Sequence, residues 1–224
     1  MTAQAWLLED VSPREVMQVG GGFAVPGAPV AWIAPGAGLE VRTFAPWPGE
    51  GGLEIDSAGA GAAPLYAHEL DESGVLHVLC RLVLGRVCAQ DVLSAPGLVR
   101  LYEAVCHLRG IPALHMAAAD ILALARSAGN PECSRATSMF CALLGDFAAG
   151  VALHLGAGGG IHLGGPLVPL LGPWFARSSF RQRFEGHGRA RERLRGVPTF
   201  VRLDVSAPIA AGRRVSGSSS AELR

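Results

Sequence analysis

An α/β domain with a mixed sheet flanked by helices is the fold class this sequence predicts, and three observations predict it. Short strand-like runs recur between longer helix-like runs along the chain. Apolar residues make up 50% of the 224 residues and charged residues only 17%, which supplies a core and excludes pervasive disorder. Glycine- and proline-containing turns punctuate the changes of pattern.

The elements follow in order. Val16 to Val19 is a short strand candidate closed by Gly20-Gly21-Gly22. Pro29 to Ile33 reads as a buried strand, Ala34 to Gly38 as a tight turn, and Leu39 to Phe44 alternates as a second strand, so the three make a hairpin with a glycine-rich tip. Pro46 to Gly52 is a rigid loop around one carboxylate, Glu50, and Gly59 to Ala63 is a small-residue linker. Val75 to Leu84 has helical character with Gly85 as its stop. Ala89 to Ser94 is a short helix or turn, and Leu98, Leu101, Val105 and Leu108 recur at helical spacing. Ala113 to Ser127 is a third helix, ended by Gly129-Asn130-Pro131, and Ser134 to His154 is the longest. Gly156 to Gly160 turns the chain into a strand at Ile161 to Leu163. Gly164-Gly165-Pro166 then leads to a helix near Leu167 to Phe184, and Thr199 to Leu203 is a last strand. Arg213 to Arg224 is Ser-rich and expected to fray.

Composition removes several function classes. The formal net charge is +0, so no global basic field holds nucleic acid or anionic lipid. All 19 basic residues are Arg, which excludes a lysine Schiff base and a Walker A phosphate loop. The five cysteines (Cys80, Cys88, Cys106, Cys133 and Cys141) are odd in number and form no CxxC pair, the pattern of reduced thiols in a cytoplasmic protein. The first fifteen residues lack a basic region and carry acids by Glu9, unlike a signal peptide. Val151 to Ala176 is uncharged, but its seven Gly and three Pro would interrupt a membrane helix repeatedly. His68-Glu69 lacks the second histidine of a zinc-binding HExxH. His154 and His162 read as satisfied core histidines, and the eight Arg between Arg177 and Arg202 read as a solvated helix face.

Three glycine turns remain: Gly36-Ala37-Gly38, Gly156 to Gly160, and Gly164-Gly165. With no Cβ in the way, backbone N–H groups in such turns can approach a phosphate, although most glycine turns are only turns. Glu50, fixed between Pro48 and two glycines, can accept hydrogen bonds from polyol hydroxyls; composition alone favours a solvated loop carboxylate.

Four ordered segments carry a resemblance. They are Pro48-Gly49-Glu50-Gly51-Gly52, Val92 to Tyr102 (VLSAPGLVRLY), Ser138 to Phe147 (SMFCALLGDF) and Leu155 to Gly165 (LGAGGGIHLGG). Their order and spacing are similar to the bacterial glucokinase family, of the sugar kinase and actin-like superfamily, from about Thr2 to Asp204. The resemblance implies a ribonuclease H-like (actin-like ATPase) large domain, with residues 11–203 as that domain. Residues 1–10 become a remnant of a small domain, and residues 204–224 a remnant of its closing segment. The N-terminal small domain is missing in this reading, because Met1-Thr2-Ala3 aligns just after the family's catalytic Asp; no catalytic residue is assigned here.

The resemblance further implies transfer of the ATP γ-phosphoryl, with Mg²⁺, to the 6-hydroxyl of D-glucose. Glu50 matches the family's sugar-binding Glu. A second family Glu falls on Gln90, and a family His falls on Leu53. Gly36, Ala37, Gly38, Gly164 and Gly165 fall on the nucleotide side, where Ala37 replaces a Thr and Pro166 replaces a Gly. No metal ligand is assigned. D-glucose and ATP are the implied partners, with neither nucleic acid nor membrane, and exposed apolar surface leaves a homodimer open. These departures imply an impaired enzyme, with a non-catalytic sugar- or nucleotide-binding regulatory module as the alternative.

Overall fold

The strand Val30–Pro35 (β2) is buried along its whole length, as expected of an uninterrupted apolar run at the centre of a sheet. It pairs antiparallel with Leu39–Pro46 (β3), which confirms the hairpin, and parallel with Gly160–Leu163 (β5). The computed structural model describes residues 16–46, 52–56, 58–82, 85–203 and 213–214. Val16–Val19 (β1), Gly52–Asp56 (β4), Thr199–Arg202 (β6) and Arg213–Arg214 (β7) complete a mixed seven-stranded sheet of order β1-β6-β5-β2-β3-β4-β7. Sequence reading did not find β4. Of the tail expected to fray, Arg213–Arg214 pairs in parallel with β4.

The helices are Leu70–Leu82 (α1), Ala89–Val92 (α2), Ala95–Leu108 (α3), Ala118–Arg126 (α4), Pro131–His154 (α5), Leu167–Leu171 (α6), Phe180–Glu185 (α7) and Arg191–Gly196 (α8). Ser94 caps α3 by accepting from Gly97 N–H at 3.1 Å, with Pro96 in the first turn, and Asn130 caps α5 the same way through Cys133 N–H. The single helix expected over Leu167 to Phe184 is broken. It stops at Gly172, whose φ of +52° leaves helical space, and Pro173 then opens a 3-10 stretch to Arg177.

The main core lies between the sheet and α3, α4, α5 and α7. Ala31, Ile33, Ile161, Leu163 and Val201 face it from the strands, and Leu101, Phe140, Leu144, Phe180 and Phe184 from the helices. α5 is long and apolar enough to cross a membrane, but 78% of that window is buried within the protein, as in a core helix. The opposite strand positions place Val30, Trp32, Ala34 and Phe44 in a second cluster, the period-two alternation of a pleated sheet.

His162 sits on that second side, paired in register with Trp32 and Phe200. The expectation of a satisfied core histidine fails in its polar half. His162 is fully buried, yet neither ring nitrogen has a hydrogen-bond partner among the described residues. His154, read alongside it, is exposed at the end of α5. Burial first, and then the charge of Arg202, push the His162 imidazole down to about 3. The folded chain therefore holds it neutral while the unfolded chain protonates it near 6.5. Stability is complete above that pH and falls by about 1.4 kcal/mol per pH unit as pH drops from 6.5 toward 3. His162→Phe keeps the ring contact with Phe200, 4.9 Å between centroids, and removes two unsatisfied atoms. We expect urea melts to show it more stable by about 1–3 kcal/mol at neutral pH, with a larger gain at acid pH.

Candidate functional site

Parallel β2 and β5 end at the same edge of the sheet, the edge where open α/β sheets bind ligands. Each runs directly into one of the glycine turns. After β2, Gly36 N–H donates to Gly38 C=O at 2.7 Å, and Gly36 C=O accepts from Ala95 N–H, also at 2.7 Å. The hairpin tip is thereby tied to the first residue of α3. After β5, Gly164 N–H donates to Ile33 C=O at 2.9 Å, and Gly165 takes a φ of +73°. The turns touch: a Cβ on Gly36 would stand 3.2 Å from Pro166 Cδ, and one on Gly165 only 2.5 Å from Pro35 O. Only glycine fits Gly165, on both backbone angle and space.

The structure thus brings Gly36, Ala37, Gly38, Gly164 and Gly165 into one cradle. Among the described residues, none of the turn bonds uses the N–H of Ala37, Gly38 or Gly165. The first turn of α3 offers no free donor, because Ala95 N–H bonds Gly36, Pro96 has none and Gly97 N–H bonds Ser94 Oγ. The helix contributes its partial positive charge alone. The third glycine turn, Gly156 to Gly160, precedes β5 and so lies at the opposite edge of the sheet.

Gln90 stands on α2, four residues before the Ser94 cap, whose Oγ donates to Gln90 C=O at 3.4 Å. Its side-chain Oε1 faces Gly61, so Gln90 shares the neighbourhood of the cradle through the α2–α3 joint. Leu53 does not. It pairs with Ala45 in β4, near the far end of β3, about 20 Å of extended strand from Leu39 and the hairpin tip. Glu50 lies outside the described residues; its flanking partners Pro46 and Gly52 pair at that same far end.

Sequence reading missed a second polar centre. Arg183 on α7 donates from Nη1 to Glu72 Oε1 at 2.6 Å and from Nε to Asp146 Oδ2 at 3.0 Å, and its Nη2 also bonds Asp146. Glu72 further accepts the N–H of His68 at 2.8 Å. Burial alone would raise the Glu72 carboxyl; the Arg183 bond and charge, with the His68 and Glu69 N–H groups, outweigh it and hold the carboxyl below its ordinary value. Arg183 in turn is raised by its two carboxylates against the effect of burial. Arg181 is mostly buried as well, donating to the carbonyls of Leu194, Arg195 and Val197. The solvated Arg face therefore does not describe these two residues. A signal existed: Glu72 shares the buried stripe of Val75, Leu76 and Leu79 on α1, a place where a lone carboxylate must find a cation.

A family model described as Glucokinase matches residues 1–212. The glucokinase of Aromatoleum aromaticum is 40% identical over 209 residues, covering 90% of this chain and 60% of its own. That of Chromobacterium violaceum is 38% identical over 200 residues, covering 89% and 57%. Among solved structures, a glucokinase from an Antarctic psychrotroph superposes with a TM-score of 0.79 at 27% identity, over 89% of this chain and 61% of that one. A glucokinase from Balamuthia mandrillaris in complex with glucose has the same fold, with a TM-score of 0.78 at 16% identity. The chain spans about 60% of the length of the curated relatives it matches.

Proposed function

The chain belongs to the glucokinase family, and from that premise we propose that it supplies the nucleotide-holding part of an ATP-dependent kinase that phosphorylates D-glucose to glucose 6-phosphate. In this reading it is a ribonuclease H-like, actin-like large domain working in the cytoplasm, with a small domain on the other side of the cleft. The observation that carries the proposal is the cradle made by Gly36-Ala37-Gly38 and Gly164-Gly165 where β2 and β5 end.

The N–H groups of Ala37, Gly38 and Gly165 would donate to phosphate oxygens, and the α3 terminus would favour their negative charge. Pro166 withholds one further donor. Phosphoryl transfer is mostly positioning and electrostatics, so this cradle is the chain's main contribution. Its donors suit an anion. Among the described residues no group of three or more His, Cys, Asp or Glu could hold a metal ion, so Mg²⁺ would enter on the phosphates of the nucleotide and neutralise their charge. Gln90, and Glu50 with Leu53, would face the sugar; Gln90 accepts hydroxyl bonds without charge. The cradle contains no acid–base group, so the base for the sugar hydroxyl is assigned to the other side of the cleft.

Titration of the full chain with ATP·Mg²⁺ tests this, together with a coupled assay for glucose 6-phosphate. We expect ATP to bind and Gly165→Val to weaken it about tenfold or more, since its side chain meets Pro35 O in a backbone conformation costing about 1–3 kcal/mol. A chain that neither binds ATP nor forms glucose 6-phosphate overturns the proposal.

A further inference from the structure

Trp32 lies on β2 in the second cluster, on the side of the sheet away from the main core, and is 6% exposed. It pairs in register with His162 of β5, but its indole reaches past that pair. A Cβ on Gly164, two residues beyond His162, would stand 2.0 Å from Trp32 Cζ2, 2.3 Å from Cη2 and 2.9 Å from Cε2. The six-membered edge of the indole therefore occupies the place of a side chain at position 164 and rests on the glycine backbone. The Arg202 guanidinium stands over the same indole, 6.0 Å from the ring centroid.

This contact restrains the turn in a direction that the hydrogen bond beside it does not. Gly164 N–H is held by Ile33 C=O at 2.9 Å, a bond that acts within the plane of the sheet. The indole stands on the face of the sheet and acts across that plane, so it sets the height of Gly164 relative to the strands. The chain swings at the next residue, Gly165, whose φ is +73°. β2 thus ends in one glycine turn and, through Trp32, supports the other.

We propose that Trp32 is a positioning residue of the nucleotide cradle: through Gly164 it fixes where the Gly165 N–H stands. This rests on the reading of the cradle as the phosphate site. Phosphoryl transfer depends on placement, and a shift of about 1 Å can cost about 10²-fold in rate. Trp32→Phe keeps an aromatic ring in the second cluster but falls short of the Cζ2 and Cη2 positions that meet Gly164. Phe44→Leu is the matched control. Phe44 is buried in the same cluster at 2% exposure, but it pairs with Val30 and Glu54, away from the cradle.

Amide exchange by NMR without nucleotide, and calorimetry with ATP·Mg²⁺, test this on the full chain. In Trp32→Phe, exchange at Gly164 N–H should speed up by about tenfold or more beyond any change at the amides of α5, which follow global stability. ATP affinity of the folded chain should fall by about tenfold or more. Phe44→Leu should lower the Tm yet keep Gly164 exchange in step with α5 and ATP affinity at the parent value. Gly164→Ala should weaken ATP binding in the parent, and Trp32→Val should restore it at least in part by making room for the added methyl. Where Trp32→Phe does not fold, Gly164→Ala decides, and ATP affinity equal to the parent's counts against the indole. A parent that binds no ATP sinks the nucleotide reading, and exchange at Gly164 then decides alone whether the indole holds the turn. The proposal is overturned if Gly164 exchange in Trp32→Phe stays in step with α5, if a parent that binds ATP passes its full affinity to Trp32→Phe, or if Phe44→Leu does as much as Trp32→Phe.

Discussion

Arg183→Met is expected to destabilise the chain by about 3–5 kcal/mol, the cost of breaking a buried ion pair by removing one partner. The guanidinium bonds Glu72 and Asp146 together and its side chain is 11% exposed, against 3% and 13% for the carboxylates. Removing it leaves two carboxylates out of water with no counter-charge. This also separates an electrostatic cost from a packing one, since Met keeps much of the Arg stem. In the parent, Glu72 is held low, so its stabilisation is present above the ordinary carboxyl range and is lost as pH falls through the folded value. In the variant burial acts unopposed by Arg183 and pushes the same carboxyl up. The penalty should therefore be full at neutral pH and shrink as acid protonates Glu72. Urea melts at several pH values read this directly; a loss independent of pH, or under about 1 kcal/mol, would mean solvent screens the cluster. Glu72→Gln in the Arg183→Met background should recover part of the loss, the signature of coupled sites.

How much of this was legible in the sequence depends on whether a feature is local. β2, the glycine tip and β3 were readable because alternation and turn chemistry lie within one stretch of chain. The start of α3 was readable from Ser94-Ala95-Pro96, an N-cap followed by proline in the first turn. The break at Gly172 was missed because apolar residues continue across it on both sides. The Glu72–Arg183–Asp146 centre joins residues 111 and 37 positions apart, and no spacing rule reaches that far. Gly36 and Gly164 each looked like a turn; only the parallel pairing of β2 and β5 puts them side by side. Leu53 was placed on the sugar side by motif alone, and no local spacing foresees that β4 carries it toward the end of β3 opposite the glycine tip.

Gly97→Val should damage stability and nucleotide binding together, because this glycine sits at the joint that carries the cradle. A Cβ at Gly97 would lie 2.2 Å from Val92 O, 2.4 Å from its carbonyl carbon and 2.6 Å from its Cα. All three are backbone atoms, so no rotamer change relieves the contact, and α2 must move away from α3. The cost should reach at least about 3 kcal/mol, the upper end for overpacking. Movement at this joint displaces Ala95, whose N–H holds Gly36 C=O at 2.7 Å, and with it the hairpin tip that would meet the phosphates. It also shifts Gln90, which stands on α2 with its side chain against Gly61. Ser94→Ala is the matched control. It removes the cap on Gly97 N–H, costing about 1–2 kcal/mol, but opens no clash and leaves the Ala95–Gly36 bond in place. If the cradle is held by the joint, ATP affinity falls sharply in Gly97→Val and little in Ser94→Ala once both are compared below their melting temperatures. Equal ATP affinity in the folded fractions of both variants would mean that the glycine turns keep their shape without α3, and the joint would then be a matter of stability alone.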